Sequence, residues 1–263
     1  VMKEYDYIVV GGGAGGCAVA GRLSEDPQVS VCLLEAGKGD DQTVIKVPFC
    51  TALMLPTKIN NWAFQTVPQP GLNGRRGYMP RGRALGGSTS INAMVYTRGH
   101  PWDYDHWASL GNEGWSWNDV LPYFRKSEHN EDFRDEYHGQ GGPLNVAKLR
   151  SMSPFQEIYL EAARQTGFKL IDDFNGPDQE GIGIYQVMQK NGERWNAARA
   201  YIAPHLASRP NLTVITQARA RRILFSGKRA TGLEFVEAGV PHTFRAKRAL
   251  ILAAGAIQSP QLL

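Results

Sequence analysis

The spacing Gly11-x-Gly13-x-x-Gly16 places glycine at three positions with separate demands: a tight turn, close backbone approach to an anion, and close packing of a helix on a strand. The chemistry is that of holding a pyrophosphate against the amides of a helix N-terminus. Glu35 stands roughly twenty residues further on, where an acid can take both hydroxyls of an adenosine ribose. A carboxylate there would repel a 2′-phosphate, which disfavours NADP and leaves NAD and FAD open. A second glycine-rich run, Gly82 to Asn92, is dense in small residues that let backbone approach something flat or anionic. His100 and His106 follow it, and imidazole suits general-base work near neutrality. Both are read as surface or structural side chains.

These groups need elements to hold them. Tyr5 to Val10 reads as a strand, Cys17 to Leu23 as a helix and Ser30 to Leu34 as a buried parallel strand, completing a β-α-β-acid unit. From Gly37 to about Pro80 the period disappears and Pro, Gly and Asn accumulate. Loops longer than about 15 residues in compact domains are usually lids or binding loops. Ser116 is an expected N-cap, Gly139 to Pro143 an expected boundary, and Ser153-Pro154 the start of a helix to about Thr166. Ile182 to Gln189 alternates like a half-buried strand. A helix at about Asn196 to Ser208 and strands at Leu212 to Ile215, Arg222 to Phe225 and Ala230 to Val236 follow. Ala249 to Ala256 reads as a buried strand ending in small residues, with Ser259 as N-cap and Pro260 as first helical residue. A helix stopping at Leu263 would be too short to stand alone, so the chain reads as a piece of a longer one.

With 263 residues the chain has enough length for one large domain or two modest ones. Its net charge of +4 is scattered rather than gathered in a stripe, so no nucleic-acid partner is expected. Cys17, Cys32 and Cys50 lack C-x-x-C spacing and read as free thiols, which suits a reducing compartment. No metal site is expected. No stretch approaches the apolar length of a transmembrane segment, and Lys3-Glu4 runs straight into a strand without a signal peptide. A cytoplasmic protein is expected, with peripheral membrane contact left open.

With these residues in view, the whole chain resembles the glucose-methanol-choline family of flavin-dependent oxidoreductases. Three blocks carry the resemblance: Gly11 to Gly16 with Glu35, the run from Gly82 through Asn92 to Trp107, and Gly255-Ala256-Ile257-Gln258-Ser259-Pro260. Asn61-Trp62-Ala63-Phe64 also looks like the loop that folds over the flavin in that family. The resemblance implies an α/β fold, α+β overall, with a Rossmann-like FAD-binding domain and part of a substrate domain built on a mixed or antiparallel sheet. The expected FAD-binding domain is residues 1–141, with a flavin-covering loop at about 41–80. Residues 142–208 would be part of the substrate domain, and 209–263 would return to the FAD-binding domain.

By the same resemblance, Gly11, Gly13, Ala14, Gly15 and Gly16 line the pyrophosphate and Glu35 holds the ribose. Ser88, Asn92, Ala93 and Val95 match positions that contact the flavin half, and Ala220 matches a site whose backbone meets adenine. Ala36, Trp62, Arg83, Gly86, Gly87, Met94, Ala254 and Gly255 complete the expected cofactor contacts. Some relatives attach the flavin through a His just before the Asn of the second block. Ile91 stands there, so FAD is expected to bind noncovalently. The implied activity is oxidation of a primary alcohol by hydride transfer to flavin N5, with the acceptor open between oxygen, quinone and others. The family's catalytic His and its partner, a second His or an Asn, are expected beyond Leu263, so no catalytic residue is assigned here. A hydroxynitrile-lyase type of flavoprotein and an inactive FAD-binding module are the alternatives.

Overall fold

A computed structural model describes residues 2–263. Strand β1 (Lys3–Val10) leads through the first glycine turn into helix α1 (Ala14–Leu23) and then β2 (Val31–Leu34), which is buried at every position. The following region holds two short helices, α2 (Thr43–Lys46) and α3 (Thr51–Met54), and a small ribbon of β3 (Phe64–Gln65) with β4 (Tyr78–Met79). Next come α4 (Pro101–Ser109), α5 (Trp117–Ser127), β5 (Glu128–Asn130), β6 (Leu144–Val146), α6 (Pro154–Gln165), β7 (Gln189–Lys190) and β8 (Glu193–Arg194). The last elements are α7 (Ala197–Tyr201), β9 (Leu212–Ile215), β10 (Ala218–Ser226), β11 (Arg229–Glu237), β12 (Val240–Leu252) and α8 (Gly255–Leu262).

The chain forms two compact units, one made of the residues up to Ala93 with Asn196–Leu263, the other Met94–Trp195. These borders lie elsewhere than the expected divisions after 141 and 208. β5 pairs in parallel with β6, Glu128 opposite Leu144, so the Gly139 to Pro143 turn is interior to the second unit. α7 lies close on α1: a Cβ at Gly21 would come within 2.6 Å of the Tyr201 carbonyl oxygen. Residues from Asn196 onward therefore belong with the first unit.

The first unit is a six-stranded mixed sheet in the order β10-β11-β12-β1-β2-β9. β12, β1, β2 and β9 run parallel, while β10, β11 and β12 are antiparallel. The hydrophobic core includes Ile8, Val10, Cys32, Leu34, Leu233 and Phe235. Each side chain taken from water contributes about 1.5–3 kcal/mol, and the parallel strands consequently read as apolar runs.

Ser116 caps α5 and Ser153 caps α6 as expected, each reciprocated by the third helical residue, Asp119 and Gln156. Three expectations are corrected. Ile182 to Gln189 is not a continuous strand. Gly183 lies so near the chain that a Cβ would sit 2.1 Å from the Ile171 carbonyl oxygen, and only isolated bridges form at Ile182 and Val187 before β7. The helix from Asn196 ends at Tyr201 and continues only as a 3₁₀ turn, Ala203–His205, because Pro204 cannot donate the next helical hydrogen bond. The last helix starts at Gly255 and not at Ser259, with Pro260 inside it.

The second unit is organised by buried charge. Arg98 Nη2 donates to Glu128 Oε2 at 2.8 Å, and Glu128 Oε1 lies 3.1 Å from His138 Nδ1. His138 Nε2 is 2.9 Å from Asp173 Oδ2. Burial alone would lower the His138 pKa, but the two carboxylates outweigh it and raise it to about 9. Two cations thus face two anions. Among the described residues, no helix is long and apolar enough to cross a membrane.

Candidate functional site

The site is built where β1 ends. Gly11 adopts φ +104°, and a Cβ there would lie 2.4 Å from the Ala253 carbonyl oxygen. A Cβ at Gly16 would lie 1.8 Å from the Gly11 carbonyl oxygen, so only glycine lets α1 sit this close to the strand. Gly13 is the N-cap of α1, and no side chain caps this helix. Its first amides are free for an anion. A Cβ at Gly15 would meet nothing within 4 Å, and one at Gly13 only the Gly87 Cα at 4.0 Å. Gly11 and Gly16 therefore serve the fold, whereas Gly13 and Gly15 present bare backbone to open space.

That space is a cavity of about 530 Å³ within the first unit, well within the range of small-molecule sites. Of the expected residues, Gly11, Gly13, Ala14, Gly15, Glu35, Ala36, Trp62, Gly87, Ser88, Ala220, Ala254 and Gly255 line it. Gly87 belongs to a 3₁₀ turn, Gly87–Ser90, at φ +56°, and a Cβ there would sit 2.6 Å from the Gly13 Cα. The two glycine-rich runs thus form one wall. The adenosine-side strand contributes Ala218 to Arg221, whose chain runs along the lining.

Glu35 lies at the end of β2, buried at 6% exposure. Its Oε2 accepts from the Gly12 amide at 2.9 Å and its Oε1 from the Gly37 amide at 2.7 Å. Burial pushes its pKa up to about 7, against the opposing pull of those amides and of Arg83. Each carboxylate oxygen keeps a second lone pair, so the group can accept two further hydroxyls.

The remaining expected residues lie off the cavity lining. Gly16 is buried against Gly11. Gly86, at φ +94°, faces Ser90 and Asn196. Arg83 lies with its guanidinium 4.5 Å from the Trp62 ring centroid and lines a neighbouring pocket. Asn92 is tied into the first unit, where its carbonyl accepts from Thr51 Oγ1 at 3.3 Å and its amide donates to the Ser88 carbonyl at 2.9 Å. Ala93 closes that unit, and Met94 and Val95 begin the second, where the Met94 carbonyl accepts from the Met188 amide and Val95 bridges Val187. The residues fit the adenosine-diphosphate part of a dinucleotide, and the cavity does not gather the four positions Asn92 to Val95.

Sequence reasoning missed Thr89, Arg81, Arg219, Arg221, Gln258 and Gln261 on the lining. With its amide oriented to satisfy both neighbours, Gln258 donates to the Ala254 carbonyl at 3.2 Å and accepts from Trp62 Nε1 at 2.9 Å. It lies inside the third block, Gly255 to Pro260, which was the available signal. The arginines had no such signal.

Fold and site together define an α/β protein that binds a dinucleotide. Residues 5–263 match the family GMC oxidoreductase, and the chain belongs to it. It is 45% identical over 262 residues to an alcohol dehydrogenase [acceptor] of Pseudomonas putida, covering 98% of this chain and 47% of that protein. It is also 45% identical over 267 residues to the mitochondrial choline dehydrogenase of Mus musculus, covering 99% of this chain and 45% of the relative. The crystal structure of pyridoxine 4-oxidase from Mesorbium loti superposes with a TM-score of 0.92 at 34% identity, over 98% of this chain and 51% of that one. The chain spans about half the length of the curated relatives it matches.

Proposed function

We propose that this chain supplies the FAD-binding part of an oxidoreductase that oxidises a primary alcohol to an aldehyde. The observation that carries the reading is one cavity whose wall joins the Gly11 to Gly16 turn, Glu35 and the Gly87–Ser90 turn, in a GMC oxidoreductase with alcohol and choline dehydrogenase relatives. Bound FAD would supply hydride acceptance. The chain's own part is to hold that group: the free amides of α1 and the bare backbone at Gly13 and Gly15 receive the pyrophosphate, Glu35 accepts the ribose hydroxyls, and the Ala220 backbone meets adenine. Trp62, held by Gln258, closes one side.

Attachment is noncovalent in this reading. Ile91 is aliphatic and 2% exposed, packed with Ile45, Met54 and Ala84. Among the described residues no histidine lines the cavity, and in this reading the chain by itself binds cofactor without turning over alcohol. The test is titration of the chain with FAD, read by quenching of flavin fluorescence, followed by anaerobic addition of primary alcohols to the parent protein. Stoichiometric quenching and alcohol-dependent bleaching are expected. Failure to bind FAD would overturn the reading.

A further inference from the structure

The geometry points to a second ligand site in the first unit, a basic pocket that takes a small phosphate-bearing anion. A cavity of about 610 Å³ lies beside the dinucleotide cavity and shares Ala36, Arg219 and Arg221 with it. Lys38, Lys58, Arg83, Arg219 and Arg221 all line it, and no Asp or Glu does. In a chain whose 29 basic residues are matched by 25 acidic ones, five cations around one hollow are a concentration that needs a cause.

Most nearby acids are engaged elsewhere: Asp41 pairs with Lys46, Glu237 faces His242 at 3.5 Å and Asp40 bonds Asn196, while Glu35, held by the Gly12 and Gly37 amides, also feels the charge of Arg83. Among the described residues, none of the five cations takes part in an ion pair. All five are exposed side chains, and like charges set around a hollow raise the local concentration of a counter-anion. Guanidinium and ammonium groups are the donors that bind phosphate oxygens most strongly.

The frame under these side chains is held by backbone. Gln217 N donates to the Gly37 carbonyl at 2.7 Å and Arg83 N to the Asn60 carbonyl at 2.7 Å. Leu85 N donates to the Lys38 carbonyl at 2.8 Å. The pocket is thus tied to the strand end that carries Glu35 and to the second glycine-rich run. Lys38 and Lys58 line this pocket and not the first cavity, whereas Arg219 and Arg221 line both.

Inorganic pyrophosphate titrated calorimetrically into the FAD-saturated chain, at low ionic strength, tests the site. Saturation fills the glycine cradle, so the remaining heat reports the basic pocket. Lys38→Gln and Lys58→Gln touch only this pocket, and each should weaken pyrophosphate roughly tenfold by removing a charge-assisted contact, with FAD affinity and Tm unchanged. Pyrophosphate should also protect Lys38 and Lys58 from acetylation. If the chain proves not to bind FAD, the same comparison of variants with the unmodified chain still isolates the pocket. No pyrophosphate heat, or equal heat in the double variant, overturns the proposal. So does co-sedimentation with phosphatidylglycerol vesicles without pyrophosphate binding, which would assign the cations to a membrane surface.

Discussion

Gly86 donates its backbone N–H to the carbonyl of Gly12 at 2.7 Å. This bond joins the two glycine-rich runs into one wall. Each run also places glycine in the left-handed region, at Gly11 and at Gly86 and Gly87.

The division of labour among the glycines predicts opposite phenotypes. Gly16→Ala forces a Cβ onto the Gly11 carbonyl oxygen and should cost roughly 1–3 kcal/mol by overpacking. Gly15→Ala meets no atom of the chain and, lying in α1, should leave the protein as stable or about 0.5–1 kcal/mol more stable, yet weaken FAD. Denaturant midpoints and flavin titration on both variants check the pair. Equal stability losses would contradict it.

Glu35 makes cofactor affinity depend on pH. Its pKa of about 7 lies above the ordinary 4.5, so folding protonates it, and the stability this contributes is present below pH 4.5 and lost as pH rises through 7. Two ribose hydroxyls favour the ionised form, because a carboxylate accepts both while the neutral acid does not. FAD should therefore bind more tightly at pH 8 than at pH 6, and Glu35→Gln should bind weakly with a flat profile. Equilibrium dialysis across that range reads it.

The buried network in the second unit sets a different pH response. His138, at about 9 against an ordinary 6.5, contributes stability that is full below 6.5 and lost as pH rises through 9. Tm should fall over that window, and His138→Gln should flatten the fall. Arg98→Met leaves Glu128 buried with His138 as its remaining cation and should cost about 3 kcal/mol or less, measured by urea unfolding.

Thiol chemistry provides a simple check on packing. Burial pushes Cys17 and Cys32 up to about 12, so both should resist a thiol reagent in the native protein. Cys50, half-buried, is the one expected to react. Counting native thiols against the 3 released on unfolding decides it.

Attachment of the flavin is tested by acid precipitation of the FAD-loaded chain. The pellet should be colourless with the yellow in the supernatant, as Ile91 has no atom able to form the bond. Yellow retained on the pellet would contradict noncovalent binding.

Local patterns carried much of the fold. The caps at Ser116 and Ser153, the β-α-β start and the apolar strands β1 and β2 are legible because each rests on neighbouring residues: a hydroxyl beside free amides, a run of side chains with one burial period. Ile182 to Gln189 misled because its alternation was real while its hydrogen bonds are split among separate segments, Ile182 with Lys169 and Ile171 and the stretch Gln186 to Met188 with Tyr96, Ala147 and Met94, which no local pattern announces. Asn92 to Val95 follow the second cradle in sequence and lie off the lining of the dinucleotide cavity.

The sequence by itself determined the glycine spacing of the first turn, the acid at position 35, the family blocks and the aliphatic side chain at position 91, since those depend on residue type and short spacing. Only the tertiary structure decided that Gly12 and Gly86 share a bond, that Gln258 holds Trp62, and that the exposed Arg219 and Arg221 also line two cavities. The physical reason is that sheet pairing brings β2, β10 and the end of β12 together from distant parts of the chain. Burial and charge around a group such as Glu35 exist only once that pairing is made.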